Sequence, residues 1–122
     1  MMAKIYGMHM IGLRPGVKGE DFEQFFRDRV APLPGFPGTK SYLLKGERGD
    51  REGKYLLMVE IESIEARNRF APAPDESSDE GQRFMEAHKD AIAPVLAEWE
   101  KLASGIGAPT IYTDYVVVGG QG

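Results

Sequence analysis

Residues 39 to 62 constrain the fold most. Two alternating runs, Thr39 to Glu47 and Lys54 to Glu62, flank a polar turn from Gly46 to Gly53 that holds three glycines and five charges. In the second run Tyr55, Leu57, Val59 and Ile61 alternate with Leu56, Met58 and Glu60. A period of two puts successive side chains on opposite faces of a strand. Turn residues between two such runs predict an antiparallel hairpin.

The elements on either side extend the hairpin into a sheet. Lys4 to Leu13 reads as a first strand, with Ile5, Gly7, His9, Ile11 and Leu13 on one face and Tyr6, Met8, Met10 and Gly12 on the other. Both faces are mainly apolar, so both are expected to be covered. Glu20 to Ala31 reads as a helix with Phe22, Phe25, Phe26 and Val30 in one stripe, stopped by Pro32 and Pro34. Ser63 to Phe70 predicts a short helix after the hairpin. Ser77 with Glu80 fits a capping box, and the long helix runs from there towards Leu102, with a kink or brief break expected near Ile92 to Pro94. Ser104 to Pro109 ends it. Thr110 to Val118 reads as a last strand, with Ile111, Thr113, Tyr115 and Val117 opposite Tyr112, Asp114, Val116 and Val118.

The order is therefore β-α-β-β-α-β over a single domain, 1–122. Two right-handed crossovers around a hairpin give an antiparallel four-stranded sheet of order 4-1-3-2 with its helices on one face, an α+β ferredoxin-like fold. Tyr6, Met8, Met10, Leu56, Met58, Val116 and Val118 then fall on the face without helices. A second copy of the chain is the simplest cover, so a homodimer is expected.

Composition narrows the partners. A net charge of −4 and no local basic patch argue against nucleic acid. The absence of cysteine removes disulfides, thiolate metal sites and a cysteine nucleophile. No run approaches the about 20 apolar residues of a membrane span. Met1-Met2-Ala3-Lys4 lacks the apolar core of a signal peptide, so a cytoplasmic location is expected.

The chain holds two histidines, His9 and His88. On the long helix Phe84, His88, Ile92, Val95, Trp99 and Leu102 follow at steps of three and four, which sets His88 in an apolar stripe. It is either a core histidine bonded to a carbonyl or a site residue. Trp99 reads as core. His9 either shares a cavity with His88, if its strand face looks towards the helices, or points to the dimer core or the surface. Two imidazoles with no placed carboxylate make a poor metal site. Proton transfer suits them better: one takes a proton from a phenol or an acidic C–H, and the other orients or stabilises the anion. Asp114 has the wrong face parity to partner His9. Tyr42, Tyr55 and Tyr115 are either packed sheet aromatics or hydrogen-bond donors to a substrate oxygen.

Phe84-Met85-Glu86-Ala87-His88 resembles the Phe-x-x-Ala-His signature of the antibiotic biosynthesis monooxygenase superfamily, the dimeric α/β-barrel proteins. Leu33 to Gly38 is similar to the loop after that family's first helix, and Leu57 to Ser63 resembles its third strand and the serine that follows. The resemblance implies one pocket per subunit between sheet and helices, lined by Phe84, Tyr55, Phe26, Phe22 and Phe70, that takes a small hydrophobic or aromatic molecule. It implies a monooxygenase-like or isomerase activity without flavin or metal, in which the proton-transfer reading above makes His88 and His9 the catalytic residues. Haem-degrading members use the histidine of the motif as an iron ligand; that role would fall on His88, with haem as the alternative cofactor. His9 stands where those members carry an asparagine. Arg69 or Phe70 stands near the place of their tryptophan. A ligand-binding dimer without chemistry is the third reading.

Overall fold

The computed structural model describes residues 3–106 and 111–121. Met1, Met2, Gly107 to Thr110 and Gly122 lie outside them, and with them the expected end of the helix at Pro109 and the first residue of the last strand.

The hairpin forms as the alternation requires. β2 (Thr39–Lys45) and β3 (Tyr55–Ile61) pair antiparallel, with Thr39 opposite Ile61 and Lys45 opposite Tyr55. β1 (Ile5–Ile11) lies against the other edge of β3, with Ile5 opposite Ile61 and Ile11 opposite Tyr55. β4 (Tyr112–Val116) closes the far edge beside β1. The order β2-β3-β1-β4 is the one expected, and the α+β architecture is compatible with a ferredoxin-like fold.

One face carries the helices α1 (Gly19–Phe25), α2 (Ile64–Phe70) and α3 (Asp79–Leu102). Ile5, Ile11, Tyr55, Leu57 and Ile61 are buried beneath them, so the parity of β1 and β3 is as anticipated. β4 is a correction. Val116 faces Ile5 and Asp114 faces Gly7 across the ladder, which puts Tyr112, Asp114 and Val116 on the helix side. Thr113 and Tyr115 take the open face where Val116 had been expected. Parity within a strand says which residues go together; only the pairing register says which way they point.

Trp99 organises the core. It is 1% exposed and packs edge-on against Phe22 at 5.0 Å and against Phe25 and Phe26 at 6.2 and 6.5 Å. Its indole N–H donates to the Ser104 carbonyl, so the buried polar atom is satisfied. The chain after α3 is pinned to the end of β1 by Arg14 N–H to Leu102 O and Ser104 N–H to Gly12 O, both 2.8 Å. Gly105, at φ 101°, permits the close approach: a Cβ there would fall 2.5 Å from Met10 O.

Three features of the helices depart from expectation. After Phe25 the first helix widens into a π turn, Phe26–Val30, in which Ala31 N–H reaches back five residues to Phe26 O. Ser78 rather than Ser77 caps α3; its hydroxyl accepts from Gly81 N–H at 3.0 Å and its own N–H donates to Phe70 O. The anchor to α2 decides between the two serines. α3 also runs through Pro94 without a break. Only one intrahelical bond is lost there, and Ile92, Val95 and Trp99 bury the stripe on both sides of it.

Candidate functional site

The chemistry-bearing side chains divide into two clusters on the helix-covered side. The first grows from β1 and β4. His9 and Tyr112 are opposite each other in the ladder, and their rings stack at 4.9 Å with only 11° between planes. Two residues further along β4, Asp114 stands opposite Gly7. A methyl group on residue 7 would sit 2.8 Å from Asp114 Oδ1 and 3.7 Å from His9 Nε2, so the bare glycine leaves room in which the carboxylate and the imidazole converge. Arg67, from α2, donates through Nη1 to Asp114 Oδ2 at 3.1 Å. Asp114 therefore carries its cation on one oxygen and turns the other towards the space over Gly7.

Asp114 thus shares a side with His9, against the expectation of opposite parity, and it bears on the ring. Burial draws the His9 imidazole below its ordinary value near 6.5, and the Asp114 carboxylate pulls the other way. Burial is the larger effect, so the ring is a neutral acceptor at neutral pH. That is the state a general base needs.

The second cluster is aromatic. Phe36 stacks on Phe70 at 4.6 Å and leans on Phe84 at 4.7 Å; Phe84 in turn meets the half-buried His88 ring at 4.5 Å. Among the described residues neither nitrogen of His88 has a hydrogen-bond partner. The two histidines share no ring contact. The clusters are linked instead by α2, where Arg67 and Phe70 stand one turn apart.

The other residues expected at a pocket lie apart from both histidines. Phe22 is fully buried against Tyr55, Phe25 and Trp99. Phe26 and Tyr55 line a cleft of about 320 Å³ between α1 and the β2 edge, and no histidine lines it. The Tyr55 phenol donates to Glu23, whose carboxylate also pairs with Lys45 at 3.3 Å. Burial first, then Glu23, pushes the Tyr55 phenol up to about 12; the same hydrogen bond holds Glu23 below the usual carboxylate range. Tyr55 thus finds its partner inside the protein. Tyr42 and Tyr115 are 41% and 56% exposed, on the open face.

Among the described residues no group of three or more His, Asp or Glu side chains is placed to hold a metal ion, and no helix is long and apolar enough to cross a membrane. No family model, curated protein or solved structure matches this chain.

Sequence reasoning named His9 but missed its surroundings. Arg67 falls within the short helix predicted over Ser63 to Phe70 with no role attached, and Asp114 is set aside on face parity. Gly7, at the centre of an apolar strand, signals that this face has room for a packed group, but not which groups arrive there.

Proposed function

We propose that this protein is a small-molecule enzyme of the cofactor-independent monooxygenase type, in which His9 removes a proton from an aromatic or phenolic substrate. The observation that carries the reading is the half-buried imidazole of His9, stacked on Tyr112, beside an Arg67-bound carboxylate. A neutral base generates an imidazolium as it works, and Asp114 stands where that positive charge is stabilised.

The chemistry closes without an external reductant. For a carbon acid such as anthrone, His9 takes one C–H proton and leaves a carbanion. Dioxygen accepts the electrons and bonds to that carbon, and the protonated His9 returns its proton to give a hydroperoxide. Loss of the second C–H proton with cleavage of the O–O bond yields a carbonyl and water. The substrate supplies every electron that dioxygen consumes.

The working unit in this reading is a homodimer. Met10, Tyr42, Leu44 and Tyr115 stay exposed on the face opposite the helices, and Tyr6, Met8, Leu56 and Met58 are only half-buried there. A second sheet laid on this face would bury them. A species of twice the chain mass by native mass spectrometry, reduced to one chain mass by Met58→Lys, is the expected result. A wild-type monomer contradicts it.

The deciding assay is oxygen uptake with anthrone as probe. The wild-type protein should accelerate it, and His9→Gln should lose about 10²- to 10⁴-fold of that acceleration. A wild-type protein that leaves the anthrone rate at its background value contradicts the reading, as does a His9→Gln variant with full activity.

A further inference from the structure

The ladder register sets Tyr112 and Asp114 on the same side of β4, with Tyr112 flat on the His9 ring and Asp114 one diagonal step away. The two oxygens of Asp114 have separate surroundings. Oδ2 takes the Arg67 guanidinium, and Oδ1 faces the space above Gly7 into which His9 Nε2 also points. Arg67 is itself steadied by its Nε–H donating to Asn68 Oδ1 at 3.1 Å. Arg67 and Asp114 are both largely covered, with 29% and 23% of their side chains exposed, so the pair is a fixture of the site and not a loose surface bridge.

A carboxylate beside one ring nitrogen favours the tautomer that points its N–H at the negative charge. We infer that Asp114, held by Arg67, is the positioning residue that keeps the His9 proton on Nε2 and thereby makes Nδ1 the base. The inference rests on the reading of His9 as a base and adds a direction to it: substrate is met on the Nδ1 edge of the ring.

It also defines the substrate class. Before reaction Arg67 and Asp114 cancel and His9 is neutral, so the site holds no net charge. Proton transfer then creates an anion and an imidazolium together. That balance suits a substrate that arrives un-ionised, a neutral phenol, enol or carbon acid, rather than one already carrying a carboxylate or phosphate. The charged groups that bear on His9 are Asp114 from β4 and, behind it, Arg67 from α2; β3 presents Leu57 opposite it.

Nitrogen-15 NMR of the two imidazoles across pH tests this, with His88→Leu to assign the signals. The wild-type protein should show neutral His9 with its proton on Nε2. Asp114→Asn removes the field that raises the ring and should move the His9 midpoint down by about 0.5 or more, with the two tautomers mixed. Arg67→Gln frees the carboxylate from its counter-charge and should move the midpoint up. With anthrone, Asp114→Asn should lose about tenfold in kcat with KM unchanged, since the base is misdirected while the side chains around it are unaltered. A wild-type proton on Nδ1, or a His9 midpoint and tautomer that ignore both substitutions, overturns the inference. The NMR readout needs no turnover, so it stands apart from the His9→Gln assay. Full activity in His9→Gln removes the base itself, whereas an Asp114→Asn protein with unaltered His9 signals removes only the positioning role.

Discussion

His9 and His88 are the same residue type in opposite circumstances. His88 belongs to a helix stripe and meets another stripe member, Phe84, one turn away. Its neighbourhood is apolar and local. His9 sits on a strand, and its partners come from a different strand and from a helix more than fifty residues away in sequence. Its neighbourhood is charged and assembled by tertiary structure. A histidine in a sequence motif draws notice first, yet the side chain with a charged partner, a cleared space and a displaced titration is the one on the strand. Motifs point along the chain, whereas proton chemistry depends on what the fold brings across it.

That contrast can be sharpened or broken by substitution. The largest effect belongs to the aromatic side. Phe70 is 4% exposed and touches Phe36 and Phe84, so Phe70→Ala should cost about 3–5 kcal/mol in a denaturant titration. A loss below about 1 kcal/mol would mean that the His88 cluster is not the packed unit described.

Gly7→Ala comes next. Its methyl group would press on Asp114 Oδ1, and unfolding free energy should fall by about 1–3 kcal/mol. The His9 signals should move with it, while those of His88 stay. His9 signals that stay in place in Gly7→Ala would show that the space over residue 7 is not filled by the carboxylate.

His88→Leu should change stability by less than about 1 kcal/mol, because an apolar side chain replaces one that makes no hydrogen bond in an apolar setting. A larger loss would reveal a polar role for His88 and erase the distinction between the two sites.

The smallest effect is on pH dependence. His9 is drawn below 6.5 in the folded chain, so the unfolded chain takes up this proton first as pH falls. The stability contribution is complete above pH 6.5 and is lost as pH drops through 6.5 towards the lower folded value. Unfolding curves of the wild type and His9→Gln should therefore diverge on the acid side of 6.5 and run parallel above it.

The architecture was legible in the sequence where periodicity was clean. Tyr55, Leu57, Val59 and Ile61 on one face, a glycine-rich turn and a capped amphipathic helix suffice for the sheet order. The site was only half legible. Gly7, His9 and Ile11 could be set on one face, but Asp114 and Val116 required the offset of β4 against β1. That offset lies in the ladder, with Val116 opposite Ile5 and Tyr112 opposite His9, and no pattern within the strand carries it. Within its own helix Arg67 is one cation among several, and only the placement of β4 gives it Asp114 as a partner. The shift from Ser77 to Ser78 as cap has the same origin, a tertiary hydrogen bond to Phe70 O.

The measurement closest to the central claim is the pH dependence of kcat/KM for wild-type anthrone oxidation, which reports the ionisation of the base in the free protein. If His9 is that base, activity is at its plateau at neutral pH and declines on the acid side with a midpoint below 6.5. A midpoint above 6.5, or a profile flat through the acid range, would contradict the account.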